Sequence, residues 1–141
     1  MRDRTTPPCD VIVFGATSFV GQILTRYLFD EFGLDGKLRW AAAGRSLTKL
    51  EALRKSLGRG GGKLELLQAD AADEPSLQRL CKRARVIVST VGPYALYGEP
   101  LLRTCAETGT DYCDLTGEVQ WMRRMIHKYE QVAQASGARI V

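Results

Sequence analysis

The sequence predicts an α/β fold, a doubly wound parallel sheet of about six strands with the last strand truncated and helices on both faces. Two observations predict it. Short, β-branched apolar runs alternate with longer segments whose apolar residues recur at helical spacing. Glycine or proline marks most of the changes from one kind of segment to the other. This alternation implies right-handed βαβ crossovers, and sheets built that way bind ligands beyond the carboxyl ends of their strands, where the strand order switches.

The elements run in chain order. Asp10-Val-Ile-Val-Phe14, bounded by Pro8 and Gly15, reads as a strand buried on both faces. Gly15-Ala-Thr-Ser-Phe-Val-Gly21 is a glycine turn, after which Val20, Ile23, Leu24, Tyr27 and Leu28 repeat at helical spacing to about Phe32-Gly33. Lys37-Leu-Arg-Trp-Ala-Ala-Ala43 is the second strand, and Ser46 is the natural N-cap of a helix carrying Leu47, Leu50, Leu53 and Leu57. Gly58-Arg-Gly-Gly-Gly62 only superficially suggests a phosphate loop. Lys63 is followed by Leu64 where Ser or Thr is needed, and Leu57 stands at the first glycine position, so the run reads as a flexible turn. Leu64-Glu-Leu-Leu-Gln-Ala69 is the third strand.

Asp70 to Asp73 then leads through Pro75 into a helix with Leu77, Leu80 and Cys81, and Arg85-Val-Ile-Val-Ser-Thr-Val91 comes next as the fourth strand. Gly92-Pro93-Tyr94 closes it. A helix from about 100 to 108 carries Leu101, Leu102 and Cys105, ends at Gly109, and precedes Asp111-Tyr-Cys-Asp-Leu115 as strand five. Residues 118–136 form the last helix, and Gly137 turns into Ala138-Arg-Ile-Val141, where the chain stops inside a sixth strand.

Composition narrows the function classes. The 141 residues fit one domain spanning 1–141, and 45% apolar with 26% charged residues exclude disorder and fibrous classes. Twenty Lys and Arg against sixteen Asp and Glu give +4, but the positive charges are dispersed. The densest groups, Lys82-Arg83 with Arg85 and Arg123-Arg124, lack the aromatic platforms of a nucleic-acid face, so no nucleic acid is expected. Met1 to Pro8 contains no apolar leader, and no stretch approaches the ~20 apolar residues of a membrane span, so a cytoplasmic protein with no integral membrane segment is expected. Cys9, Cys81, Cys105 and Cys113 never fall two residues apart, and His127 is the only imidazole, which points to reduced thiols and no metal site.

The glycine turn after strand one carries the chemistry. Gly15 permits a tight turn, Gly21 lets the helix approach the sheet, and the unpaired amides of the first helical turn suit a pyrophosphate. Gly15, Thr17, Ser18, Phe19, Val20 and Gly21 are therefore candidate cofactor-binding residues, in a Rossmann-type arrangement. Ser18 stands in place of the usual middle glycine, and its hydroxyl can contact phosphate or cap the helix.

After strand two the chain has Gly44-Arg45-Ser46 and no carboxylate between Lys37 and Leu50. An acidic residue there would serve the ribose hydroxyls of NAD, whereas Arg45 and Ser46 suit a 2′-phosphate, so NADP(H) is the expected cofactor, with Lys49 a weaker candidate. Asp70 is placed to accept from an adenine amino group or to cap the next helix. Gly92, Pro93 and Tyr94 lie toward the nicotinamide half, as a close backbone and an aromatic wall or as a plain strand-ending turn.

Gly15 to Gly21, Ala43-Gly-Arg-Ser46, Thr90-Val-Gly-Pro-Tyr94 with Tyr97-Gly98, and Gly109-Thr-Asp-Tyr-Cys-Asp-Leu-Thr-Gly-Glu118 together resemble the amino-terminal domain of saccharopine dehydrogenase-like oxidoreductases. That family includes saccharopine reductases and the trans-acting enoyl reductases of mycobacterial lipid synthesis. The resemblance implies hydride transfer from NADPH to a C=N or C=C bond by a longer protein, whose second domain shapes the pocket for a small-molecule substrate and often the homo-oligomer contact. The chain is then the nucleotide half alone, with little or no turnover of its own and a tendency to self-associate. None of the five tyrosines is followed four residues on by lysine, so the proton-donating pair of short-chain dehydrogenases is absent and the catalytic residues stay unassigned. Tyr94 and Tyr97 serve as wall or as chemical groups, and Glu118 as a helix N-terminal acid or a proton donor. The alternative is a non-catalytic module that senses NADP.

Overall fold

The computed structural model describes residues 6–141, so 1–5 of the Met1 to Pro8 segment lie outside the described residues. Five parallel strands form one sheet in the order β3-β2-β1-β4-β5: β1 Cys9–Phe14, β2 Trp40–Gly44, β3 Glu65–Gln68, β4 Ala84–Ser89 and β5 Asp111–Asp114. The helices between them are α1 Phe19–Phe32, α2 Leu47–Ser56, α3 Glu74–Arg83, α4 Tyr94–Tyr97 and α5 Glu99–Thr108, with α6 Val119–Ser136 after β5. The order switches between β1 and β4, which pair in register from Cys9↔Ala84 to Phe14↔Ser89.

Successive strand side chains point to opposite faces, and the chain exploits this to make two apolar layers. Ile12, Phe14, Ala41, Ala43 and Ile87 join Leu77, Leu80, Leu101, Cys105, Trp121 and Met125 on the face covered by α3, α5 and α6. Val13 and Ala42 join Leu28, Leu50, Leu53 and Leu57 on the face covered by α1 and α2. The α2 stripe is buried as its spacing predicts, apart from the solvent-exposed Leu47 at its start. Ser46 caps α2 by accepting from the Lys49 amide at 3.3 Å.

Two expectations change. The sixth strand is reduced to a single bridge between Tyr112 and Ile140, so the sheet has five strands. Gly137 turns the chain at φ 82, and the Ala138 amide is still bonded to the Ala133 carbonyl, so the segment reaches the β5 edge only at Arg139. The run Gly58 to Gly62 is not a loose turn. It closes into a 3-10 turn at Gly61–Lys63, with Gly61 buried against Leu57.

Helix α1 departs most from its apolar pattern. It buries Gly21, Thr25 and Leu28, while Val20, Ile23 and Tyr27 are exposed. A Cβ on Gly21 would lie 2.1 Å from the Gly15 carbonyl oxygen, so the helix seats its glycine there and its rotation is set by that contact rather than by its most apolar stripe. Thr25 is fully buried as a result, with a hydroxyl that has no partner among the described residues.

Gly21→Ala must push α1 off the sheet, and we expect a loss of about 1–3 kcal/mol or more, typical of overpacking. Urea denaturation checks this, and a variant with unchanged midpoint would contradict a rotation fixed by the glycine contact.

Candidate functional site

The carboxyl ends of β1, β2, β3 and β4 open into one cleft of about 480 Å³. Its lining includes Gly15, Thr17 and Ser18 from the first turn, Arg45, Ser46 and Lys49 after β2, Asp70 after β3, and Thr90, Gly92 and Tyr97 after β4. Seven of the sequence-derived candidates, Gly15, Thr17, Ser18, Arg45, Ser46, Asp70 and Gly92, thus come together from segments far apart in the chain.

The floor is a hydroxyl network at the β1–β4 switch. Gly15 has φ 82 and no room for a side chain, since a Cβ would meet Thr90 Oγ1 at 2.7 Å. Thr90 Oγ1 donates to the Gly15 carbonyl at 2.8 Å, and Ser18 Oγ lies 3.0 Å from Thr90 Oγ1. With the Thr90 proton committed, Ser18 donates to Thr90 and accepts from the Gly21 amide at 3.0 Å. Between its two possible roles, Ser18 therefore takes the cap. Among the described residues the amides of Phe19 and Val20 keep no protein partner, because α1 begins there and an amide in the first turn has no carbonyl one turn back. Phe19, Val20 and Gly21 follow the lining residue Ser18 in the chain but are not themselves part of the cleft lining, and the Phe19 side chain is 82% exposed.

The far wall is cationic. Arg45 and Lys49 enter no ion pair among the described residues. The Arg45 carbonyl is held by Gln68 Nε2 at 3.0 Å, which fixes the backbone while leaving the guanidinium free. Asp70 does not cap α3, whose N-cap is Asp73. Asp70 Oδ1 instead accepts from the Ala72 amide at 2.9 Å, and Asp70 lines the cleft.

The other end differs from the expectation for Tyr94. The Gly92–Pro93 peptide is cis, Pro93 is the N-cap of α4, and neither Pro93 nor Tyr94 lines the cleft. Tyr94 is 5% exposed, donates from its hydroxyl to the Ser89 carbonyl at 2.8 Å and packs on Trp121 with ring centroids 5.5 Å apart. Its aromatic wall is supplied by Tyr97, one helical turn on. Burial holds the Tyr94 phenol above the usual tyrosine range, away from the near-neutral value that suits a proton donor. Glu118 stands at the start of α6 but bonds to α4, accepting from the amides of Tyr94 at 2.6 Å and Ala95 at 3.1 Å.

Thr90, the hub of the floor, is a site residue that sequence reasoning misses. Its signal is its place just beyond β4 in the Thr90 to Tyr94 motif, but nothing local announces a partner 72 residues away. Burial pushes the Cys9 thiol up to about 11 and raises those of Cys105 and Cys113 as well, away from the thiolate a nucleophile needs. His127 is exposed on α6, outside the cleft. A more apolar hollow of about 540 Å³ runs along β5 and α6, but no lysine, arginine or histidine lines it, so a diphosphate has no cation to meet there.

Open helix-start amides beside a glycine turn, with unpaired cations beyond β2, form a cradle of the kind a phosphorylated dinucleotide fits. The family described as the saccharopine dehydrogenase NADP binding domain matches residues 11–141. The chain belongs to that family. Its cofactor is accordingly NADP(H), in line with Arg45 and the absence of an acid after β2.

A Mycobacterium tuberculosis protein provisionally named a trans-acting enoyl reductase is 46% identical over 132 residues, which cover 94% of this chain and 31% of that protein. A trans-acting enoyl reductase of Mycobacterium ulcerans is 42% identical over the same shares. The chain thus spans about a third of the length of these relatives. In fold it is similar to saccharopine dehydrogenase (L-Glu forming) from Saccharomyces cerevisiae, with a TM-score of 0.64 at 17% identity, over 94% of this chain and 26% of that one. No helix among the described residues is long and apolar enough to cross a membrane.

The buried phenols make a pH prediction. Tyr94 and Tyr112 are both raised by burial, Tyr112 further by the Asp114 carboxylate that takes its proton bond at 2.6 Å. A raised phenol stabilises the fold fully below the ordinary value of 10.0, and that stabilisation fades as pH climbs toward the raised one. In alkaline titration we expect a late phenolate signal that coincides with loss of helix. Tyr94→Phe should diminish it, and ionisation of Tyr94 while the fold persists would contradict the burial.

Proposed function

We propose that residues 1–141 are the NADP(H)-binding domain, the amino-terminal part of a longer reductase that passes hydride to a C=C bond of a small-molecule substrate held mainly by a further domain. The observation that carries the cofactor end is the free Arg45 guanidinium on a cleft lined by Gly15, Thr17 and Ser18, next in the chain to the unbonded amides of Phe19 and Val20. When bound, NADPH supplies the hydride. The chain's own residues hold it: the two amides take the diphosphate, Arg45 and Ser46 the 2′-phosphate, and Asp70 the adenine amino group. Gly92 and Tyr97 flank the nicotinamide end.

The names of the relatives favour C=C over C=N. The reading as a non-catalytic sensor finds no support in relatives that bear the names of reductases. The four free cysteines fit a cytoplasmic setting, and the exposed apolar stripes on α1 and α6 fit contacts with a further domain or a second copy in a homo-oligomer.

Two measurements test this. Arg45→Ala should weaken NADPH binding about 10- to 100-fold, nearer the low end because the rim is exposed and screened, while NADH binding stays unchanged. An equal loss for both cofactors, or none, would sink the assignment of Arg45. By light scattering the 141-residue chain should self-associate as concentration rises. A monodisperse monomer throughout would remove the oligomer contact from the proposal.

A further inference from the structure

The two segments that frame the nicotinamide end are joined by one side chain. Helix α4 is four residues long and begins at Pro93, which carries no side-chain acceptor, so the helix cannot cap itself. Its first two amides, Tyr94 and Ala95, donate instead to the two carboxylate oxygens of Glu118, which lies 24 and 23 residues further along the chain.

Glu118 is aimed there by a short relay. Asp114, the last residue of β5, accepts from Tyr112 Oη at 2.6 Å and from the Thr116 amide at 3.0 Å, which turns the chain back toward α4. Thr116 Oγ1 then accepts from the Glu118 amide at 3.1 Å. Although Glu118 stands at the N-cap position of α6, its carboxylate makes no bond to that helix. A four-residue helix has too few internal bonds to persist by itself, so α4 is held by its surroundings: the Tyr94 ring against Trp121, the bond from Tyr94 to Ser89, and at its amide end the Glu118 carboxylate. At the other end of α4 is Tyr97, the aromatic side chain of the cleft, and just before it is Gly92.

We propose that Glu118 is a positioning residue for the nicotinamide end: its carboxylate clamps α4 and thereby holds Tyr97 and Gly92 against the cofactor. The clamp rests on the reading of the cleft as the NADP(H) site. It acts on one end only, because Ser18, Ser46 and Gln68, which brace the other end, bond to Gly21, Thr90, Lys49 and Arg45 and make no hydrogen bond to α4.

The test is ligand selectivity in the intact protein. Glu118→Gln keeps the side-chain shape but replaces one acceptor with an amide donor, so Tyr94 and Ala95 can no longer both be satisfied. Binding of NADPH is compared with binding of adenosine 2′,5′-bisphosphate, which carries only the adenosine and 2′-phosphate end. We expect NADPH to weaken about tenfold and the bisphosphate to change less than about twofold. Tyr97→Ala, at a half-exposed site that leaves the fold intact, should show the same selective loss. The double variant should lose little more, since both changes act through one element.

Equal weakening of both ligands, or NADPH binding unchanged in Glu118→Gln, would overturn the clamp while the cofactor reading stands. Should Glu118→Gln fail to fold, an unchanged ligand ratio in Tyr97→Ala overturns it equally. Wild-type protein that binds neither ligand would overturn the cofactor reading itself, and the clamp with it.

Discussion

The meeting of Gly21 with the Gly15 carbonyl constrains both the cofactor cleft and the face that α1 presents to solvent. A helix that starts this close to a strand end tolerates no Cβ at the contact, and so α1 has one permitted rotation. That rotation leaves the amides of Phe19 and Val20 unbonded at the start of the helix, next to the cleft residue Ser18, sends Thr25 into the core and turns Ile23 and Tyr27 outward. The cofactor cradle and the exposed stripe on α1 are two consequences of one close approach.

The cleft is polarised along its length. At the β2 end, Arg45 and Lys49 are cations that form no ion pair among the described residues. At the β4 end, the carboxylates of Asp114 and Glu118 are spent on backbone amides and a phenol. A ligand with phosphates at one end and a flat ring at the other matches that gradient. The middle is neutral: Thr90 and Ser18 satisfy each other and the Gly15 carbonyl, so the floor holds its shape without charge.

Most of the architecture was legible in the sequence because its signals are local. Gly33, Gly109 and Gly137 end helices where their spacing places them, and Ser46 caps α2 three residues before its partner. The place of Arg45 in the cleft lining was legible because the residues just after β2 open into the cleft. What escaped was set at long range. Apolar spacing defines a stripe on α1 but not which stripe faces the sheet, since a glycine contact outweighs it. Tyr94 and Tyr97 differ by three residues, and only the bond from Tyr94 to Ser89 shows which one turns inward. The sixth strand matched in composition, yet the turn after α6 leaves it a single bridge.

The two ends of the cleft are therefore built by different physics. Ser18 bonds to Gly21 and Ser46 to Lys49, each within one helical turn, so the helix caps at the proposed phosphate-binding end are local, while Ser18 also meets Thr90 and Gln68 holds the Arg45 carbonyl from β3. The nicotinamide end has no such autonomy. Its helix lacks a cap of its own, and the borrowed one arrives only when β5 has paired with β4 and the chain has turned at Asp114. The caps at the proposed phosphate-binding end thus lie within their own helices, while the cap of α4 depends on the last strand of the sheet, which ties the placement of Gly92 and Tyr97 to completion of the whole fold.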